Sequence, residues 1–210
     1  ISTSDVTGLG VLRILEVIRN LRSRPKFYQA SSSEMFGDVL ETPQKITTPF
    51  NPVSPYAIAK LFAHYTTINY RKAYKIFAVS GICFNHESPL RGEEFITRKI
   101  TNGLSKIKAG LLDHLEVGNI DAKRDWGFAG DYVNAMWLIL QQDKPDDYVI
   151  GTGKKHSVQD FADKAFAHVG LNYKNFIDLD RNLFRLVKSD NRVADSTKAK
   201  KILKWRPKFS

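Results

Sequence analysis

The sequence predicts an α/β fold: a doubly wound parallel sheet interleaved with a smaller C-terminal region. Three observations carry this. Short apolar runs bounded by Ser, Gly or Pro alternate with longer stretches of helical apolar spacing along the chain. One such run, Phe-Tyr-Gln-Ala at 27–30, ends in Ser-Ser-Ser-Glu at 31–34 and leads through a loop into a helix. A second, at 76–84, is followed by the polar tract 85–94, at the edge where open α/β sheets bind ligands.

Taken in order, residues 5–22 place Val6, Leu9, Leu12, Leu15, Ile18 and Leu21 at helical spacing, with Ser4 or Asp5 as N-cap. Gly8-Leu9-Gly10 lies inside that pattern and follows no strand, so it is not a phosphate-cradling glycine loop. The strand at 27–30 follows, then a surface loop over 37–51 marked by Pro43 and Pro49. Ser54 as N-cap and Pro55 in the first turn open a helix over 55–74. Next come a core strand at 76–84, a helix at 95–109, a short strand at 115–118 and a turn at 123–127. A helix at 129–142 and a strand at 148–151 lead to Ser157-Val-Gln-Asp160, a capping box that opens a helix to His168. The last predicted helix covers 195–205, with Pro207 as its stop.

Composition narrows the partners. Thirty-two Lys and Arg against 22 Asp and Glu leave a net charge of +10, which attracts anions such as sugar nucleotides. Nucleic acid is not an expected partner, because Asp178, Asp180, Asp190 and Asp195 break up the basic C-terminal stretch and no aromatic-studded basic motif appears. The single cysteine, Cys83, excludes an intramolecular disulfide, fits a reducing, cytoplasmic setting and reads as a buried strand residue. His64, His86, His114, His156 and His168 are scattered without metal-ligand spacing, so no metal site is expected. No apolar run approaches the about 20 residues a bilayer requires, so no membrane association is expected.

The chemistry concentrates in residues 31–60. Tyr56 and Lys60 stand four apart on one helix face, where an ammonium near a phenol favours phenolate and lowers a pKa that is otherwise about 10. Tyr56 is then a candidate base. A serine hydroxyl at the strand end is placed to polarise the same substrate oxygen, and Glu34 offers a carboxylate for a second proton transfer. Tyr and Lys at this spacing also occur on many helices with no chemical role. The hydroxyl-rich strand end two dozen residues upstream is what gives the pair weight.

These residues resemble the extended short-chain dehydrogenase/reductases. The stretches ASSSEMFG, SPYAIAK, FNHESPLRGEEFITRKI and RDWGFAGDYV are similar to the GDP-mannose 4,6-dehydratase family. The resemblance implies that residues 1–110 form the C-terminal half of a Rossmann-like NADP-binding domain, without the glycine-rich N-terminal half. It implies that residues 111–210 form mainly a sugar-nucleotide domain, shortened at its C-terminus. The catalytic set would be Ser32, at a position where Thr is usual, with Glu34, Tyr56 and Lys60. Lys60, His86 and Arg91 would contact NADP; Asn85, Lys99, Arg124 and Arg185 would contact GDP-mannose. Asp125 and Asp131 would shape the turn and cap the helix after it. Leu186 and Lys188 depart from the family's proline and acidic residue. A homodimer or homotetramer is implied for the full-length protein, and the piece alone is expected to be inactive. An epimerase or reductase of the same superfamily needs the Ser/Tyr/Lys set but no carboxylate at Glu34. The third alternative is a truncated chain that binds sugar nucleotide without turnover.

Overall fold

The computed structural model describes residues 1–184 and 191–209. The chain opens in α1 (Gly10–Asn20), entered through a π-helical stretch, Ser4–Leu9. The expected cap at Ser4 or Asp5 does not form. The backbone is already helical at Thr3, the Asp5 amide is bonded to the Ile1 carbonyl at 3.0 Å, and the Asp5 carboxylate pairs with Arg13 at 2.8 Å. After α1 come β1 (Phe27–Ser32), α2 (Pro55–Tyr74), β2 (Ala78–Cys83), β3 (Asn85–Glu87) and α3 (Ile96–Lys108). β4 (Leu115–Val117), β5 (Lys123–Arg124), β6 (Trp126–Phe128), α4 (Ala129–Leu140) and β7 (Asp147–Ile150) follow. The chain continues through β8 (His156–Ser157), α5 (Val158–His168), β9 (Ile177–Leu179) and α6 (Thr197–Ile202).

The predicted doubly wound parallel sheet is present as β1-β2-β7. β1 runs in register with β2 from Phe27↔Ala78 to Ser32↔Cys83, and β2 with β7 from Ser80↔Asp147 to Cys83↔Ile150. That pairing carries β1 two residues past its predicted end and sets Ser32 on the C-terminal rim. The period of two sorts the strands' side chains between two faces. Val79, Cys83, Tyr148 and Ile150 face Tyr132, Ala135 and Ile139 of α4 together with Leu203 and Trp205. Ile82 and Val149 face Met35, Phe36 and Leu61 on the other side, while Ala78 meets Leu15, Ile18 and Tyr70 of α1 and α2. Gly8 lets the π-helical entry approach α2: a Cβ there would lie 3.3 Å from Phe62 and 3.6 Å from the Ala59 carbonyl oxygen.

A second core gathers Ile100, Leu104 and Ile107 of α3, Leu115 and Val117 of β4, Trp126, and Val158, Ala162 and Phe166 of α5. Around it the predicted turn 123–127 and the start of the predicted loop 85–94 are short strands. β3 pairs with β6, β5 with β8 and β4 with β9, each across a long sequence separation. Local composition does not announce such pairings, because each strand is two or three residues long. The capping box of α5 forms as predicted, with Ser157 and Asp160 exchanging bonds of 2.8 and 2.9 Å.

Asp125 and Asp131 tie the ends together. Asp125 accepts from the Thr152, Gly153 and Ala194 amides at 2.9–3.0 Å and from the Thr152 hydroxyl at 2.6 Å. Asp131 does not cap α4: its carboxylate accepts from the Lys208 and Phe209 amides, and its carbonyl accepts from the Trp205 indole at 2.8 Å. Among the described residues, no helix is long and apolar enough to cross a membrane.

Candidate active site at the rim of the parallel sheet

Three local devices place the site. Ser32, the last residue of β1, accepts from the Glu34 amide at 3.2 Å and so caps the 3₁₀ turn Ser33–Phe36 that carries Glu34. Ser54 accepts from the Ala57 amide at 3.1 Å, and Pro55 fills the first turn of α2, so Tyr56 emerges at the helix start beside the strand end. One turn further, Lys60 reaches back, and its Nζ donates to the Ala30 carbonyl at 2.9 Å.

The four predicted catalytic groups meet here. Tyr56 hydrogen-bonds Ser32 and feels the charges of Glu34 and Arg91. The Lys60 ammonium lies 5.7 Å from the centre of the Tyr56 ring. The expected lowering of the Tyr56 phenol by this ammonium is not found. Burial pushes the phenol above its ordinary value; the Ser32 hydrogen bond and the Arg91 charge oppose that, and Glu34 adds to it. Lys60 is not among the groups that shift it; its Nζ donates to the Ala30 carbonyl, and burial lowers its own pKa. Tyr56 is 42% exposed.

The polar tract after β2 contributes the next groups. Asn85 begins β3 at the same rim. His86 Nδ1 donates to the Phe84 carbonyl at 2.8 Å and the ring stacks on Tyr132 at 4.7 Å, which fixes its tautomer and orientation. The Arg91 guanidinium lies 3.4 Å above the Phe95 ring, with its Nε 3.3 Å from Glu87. Lys99 and Arg124 stand on α3 and β5, elements of the second core rather than of the sheet rim. Arg124 donates to the Lys123 carbonyl at 2.6 Å. Arg185, with Leu186 and Lys188, lies outside the described residues.

One site residue is not announced by the sequence. Arg192, 2% exposed, donates from Nη2 to Glu34 Oε1 at 2.6 Å. Its segment alternates in burial, with Arg192, Ala194 and Ser196 inward and Val193 half-exposed. The inward positions are therefore polar or small, the inverse of the pattern that marks a strand, and the partner is 158 residues away.

Comparison with known proteins decides the family. The model of the GDP-mannose 4,6 dehydratase family matches residues 1–210. The chain belongs to that family. It is 54% identical to GDP-mannose 4,6 dehydratase 1 of Arabidopsis thaliana over 98% of this chain and 58% of the relative. It is 48% identical to the human GDP-mannose 4,6 dehydratase over 99% of this chain and 61% of the relative. The chain thus spans about three-fifths of the length of these curated relatives. Among solved structures it is similar to RMD from Pseudomonas aeruginosa complexed with NADPH, with a TM-score of 0.88 at 22% identity, covering 99% of this chain and 69% of that one. It is also similar to the dTDP-glucose 4,6-dehydratase of Bacillus anthracis in complex with NAD, with a TM-score of 0.84 at 22% identity, covering 99% and 64%. These structural likenesses show the fold.

Proposed function

We propose that the full-length protein carrying this chain converts GDP-mannose to GDP-4-keto-6-deoxymannose and water by intramolecular redox. The observation that carries the reading is Glu34 on its 3₁₀ turn, two residues past Ser32 and within electrostatic reach of Tyr56. Ser32 donates to the sugar O4 while Tyr56 takes the O4 proton. Lys60 orients the site from the Ala30 carbonyl and reaches the cofactor ribose. A 4-keto group acidifies the C5 proton; Glu34 removes it and returns a proton to the departing C6 hydroxyl, which leaves as water.

The rim fits a nicotinamide nucleotide. His86 keeps Nε2 for a ligand because Nδ1 is bound to Phe84, and the buried Arg91 Nε has no aligned hydrogen-bond partner among the described residues. When bound, NADP supplies the hydride acceptor for C4 and the donor for C6. Lys60, His86 and Arg91 would hold it, and Asn85, Lys99, Arg124 and Arg185 would hold the sugar nucleotide, as the family resemblance implies. Association as a homodimer or homotetramer is supported by the exposed Ile14, Val17, Ile58, Phe62 and Tyr65 on α1 and α2. A cytoplasmic setting is supported by the single buried thiol, Cys83.

The test incubates the full-length gene product with GDP-mannose and NADP, following product by mass and NADPH by absorbance. Wild type should accumulate the 4-keto-6-deoxy product, and Glu34→Gln should reduce cofactor but stall before water is lost. Turnover restricted to another sugar nucleotide would move the chain to the epimerases or reductases. Binding of GDP-mannose without turnover would mark a silent binding chain.

A further inference from the structure

We propose that Arg192 is a positioning residue for Glu34, holding one carboxylate oxygen so that the other faces the substrate. The proposal rests on the reading of Glu34 as the proton-transfer group. A glutamate side chain has three rotatable bonds and samples several rotamers unless both ends are fixed. Here both ends are. At the backbone, the Glu34 amide is bonded to Ser32 Oγ at 3.2 Å and its carbonyl accepts from Gly37 at 3.0 Å. At the tip, Arg192 Nη2 engages Oε1 at 2.6 Å.

Arg192 is itself held in a frame. The buried Gln44 pairs with Val193 through both main chain and side chain, at 2.8 and 2.7 Å, and its carbonyl accepts from the Asp195 amide at 2.8 Å. The residue after Val193, Ala194, donates to Asp125 at 3.0 Å. The guanidinium is therefore delivered from a backbone latched to loop 41–48 on one side and to Asp125, between β5 and β6, on the other.

A second, partly buried arginine shows what a structural pair looks like in this molecule. Arg71 clasps Asp147 with two bonds of 2.8 and 2.6 Å, and both side chains are shielded, at 15% and 7% exposure. In the Arg192 pair only the arginine is shielded, at 3%, while Glu34 keeps 26% of its side chain exposed. The arginine anchors and the carboxylate presents. That division suits the chemistry. The C5–H bond breaks as its electrons form C5=C6, the C6–O bond breaks, and the proton passes from carbon to the carboxylate and on to the departing hydroxyl. One carboxylate serves two adjacent atoms, which leaves little angular tolerance.

The experiment uses the full-length gene product and separates hydride transfer from dehydration. Single-turnover NADPH formation reads the first step, and solvent deuterium entering at C5 with product formation reads the second. Arg192→Leu should slow dehydration by about 10–100-fold, with KM and the first hydride transfer near wild type, and Arg192→Lys should recover part of the loss. Adding R192L to E34Q should slow it no further. Wild-type dehydration in R192L, with E34Q slow, would overturn the positioning role alone; wild-type dehydration in E34Q would overturn the reading of Glu34 and the proposal with it. Equal slowing of both steps in R192L, or additional loss in the double variant, would show that Arg192 acts elsewhere. If R192L does not fold, R192K decides: slowed dehydration with intact hydride transfer supports the proposal, and equal slowing of the two steps overturns it.

Discussion

Glu34 and Asp125 are both gripped by the segment 192–194, and the molecule uses them in opposite ways. Asp125, 1% exposed, takes four donors, three of them main-chain amides. An ionised carboxylate offers about four acceptor sites, so Asp125 has nothing left to offer a ligand. Glu34 is bonded to one guanidinium at an open edge. A count of acceptor capacity used thus separates a carboxylate that holds the fold from one that is available for chemistry.

The largest effect that would break this comparison is expected at Asp125. Asp125→Ala orphans buried amides at β7's exit and before α6, and should cost about 3–5 kcal/mol in urea denaturation. A loss below about 1 kcal/mol would mean that the knot carries little, and the contrast with Glu34 would fall. Glu34→Gln should cost about 1–2 kcal/mol, because the amide oxygen still accepts from Arg192 while the buried charge loses its counterion. Its activity should nevertheless fall far more than any stability change explains. Ser157→Ala, remote from both carboxylates, removes one half of the α5 capping box and should cost about 1 kcal/mol by thermal melting with activity unchanged. It calibrates what an ordinary cap is worth in this chain.

The smallest effect near neutrality is that of pH, and it appears only on the alkaline side. Burial raises the phenols of Tyr28 and Tyr132 above the ordinary tyrosine value of about 10. Groups whose folded pKa is raised contribute stability that is fully present below the unfolded pKa and lost as pH rises through the folded one. Stability should therefore be insensitive to these two phenols up to pH about 9 and decline above about 10. Ultraviolet absorbance of phenolate, read beside circular dichroism, should show part of the tyrosine signal appearing only with unfolding. Complete tyrosine ionisation in a still-folded chain would contradict the buried environments of Tyr28 and Tyr132.

The parts of the site that are legible in the sequence are those written into neighbouring residues. Ser54 and Pro55 announce where α2 starts, Ser157 and Asp160 announce α5, and the hydroxyl run marks the end of β1. Each is a short-range device whose donor and acceptor lie within about four residues. The features that escape depend on distance along the chain. Arg192 meets Glu34, Asp125 meets Ala194 and β5 meets β8 only after the tertiary fold forms. The Tyr56 phenol departs from expectation for a related reason. Spacing puts the ammonium on the right face, but it cannot show that the folded surroundings bury the phenol, which is what raises it.

The bond between Glu34 and Arg192 also has a consequence in time. The two residues are 158 positions apart, so a ribosome adding about 5–20 residues per second makes the guanidinium roughly ten to thirty seconds after the carboxylate. The hydroxyls and the ammonium, at positions 32–60, are laid down close to the carboxylate. Their acidic companion is clamped only when the segment 192–195 has emerged and docked on Gln44. A nascent chain halted in between carries the acid–base groups without the guanidinium that orients one of them, and the machinery is completed by a segment made much later.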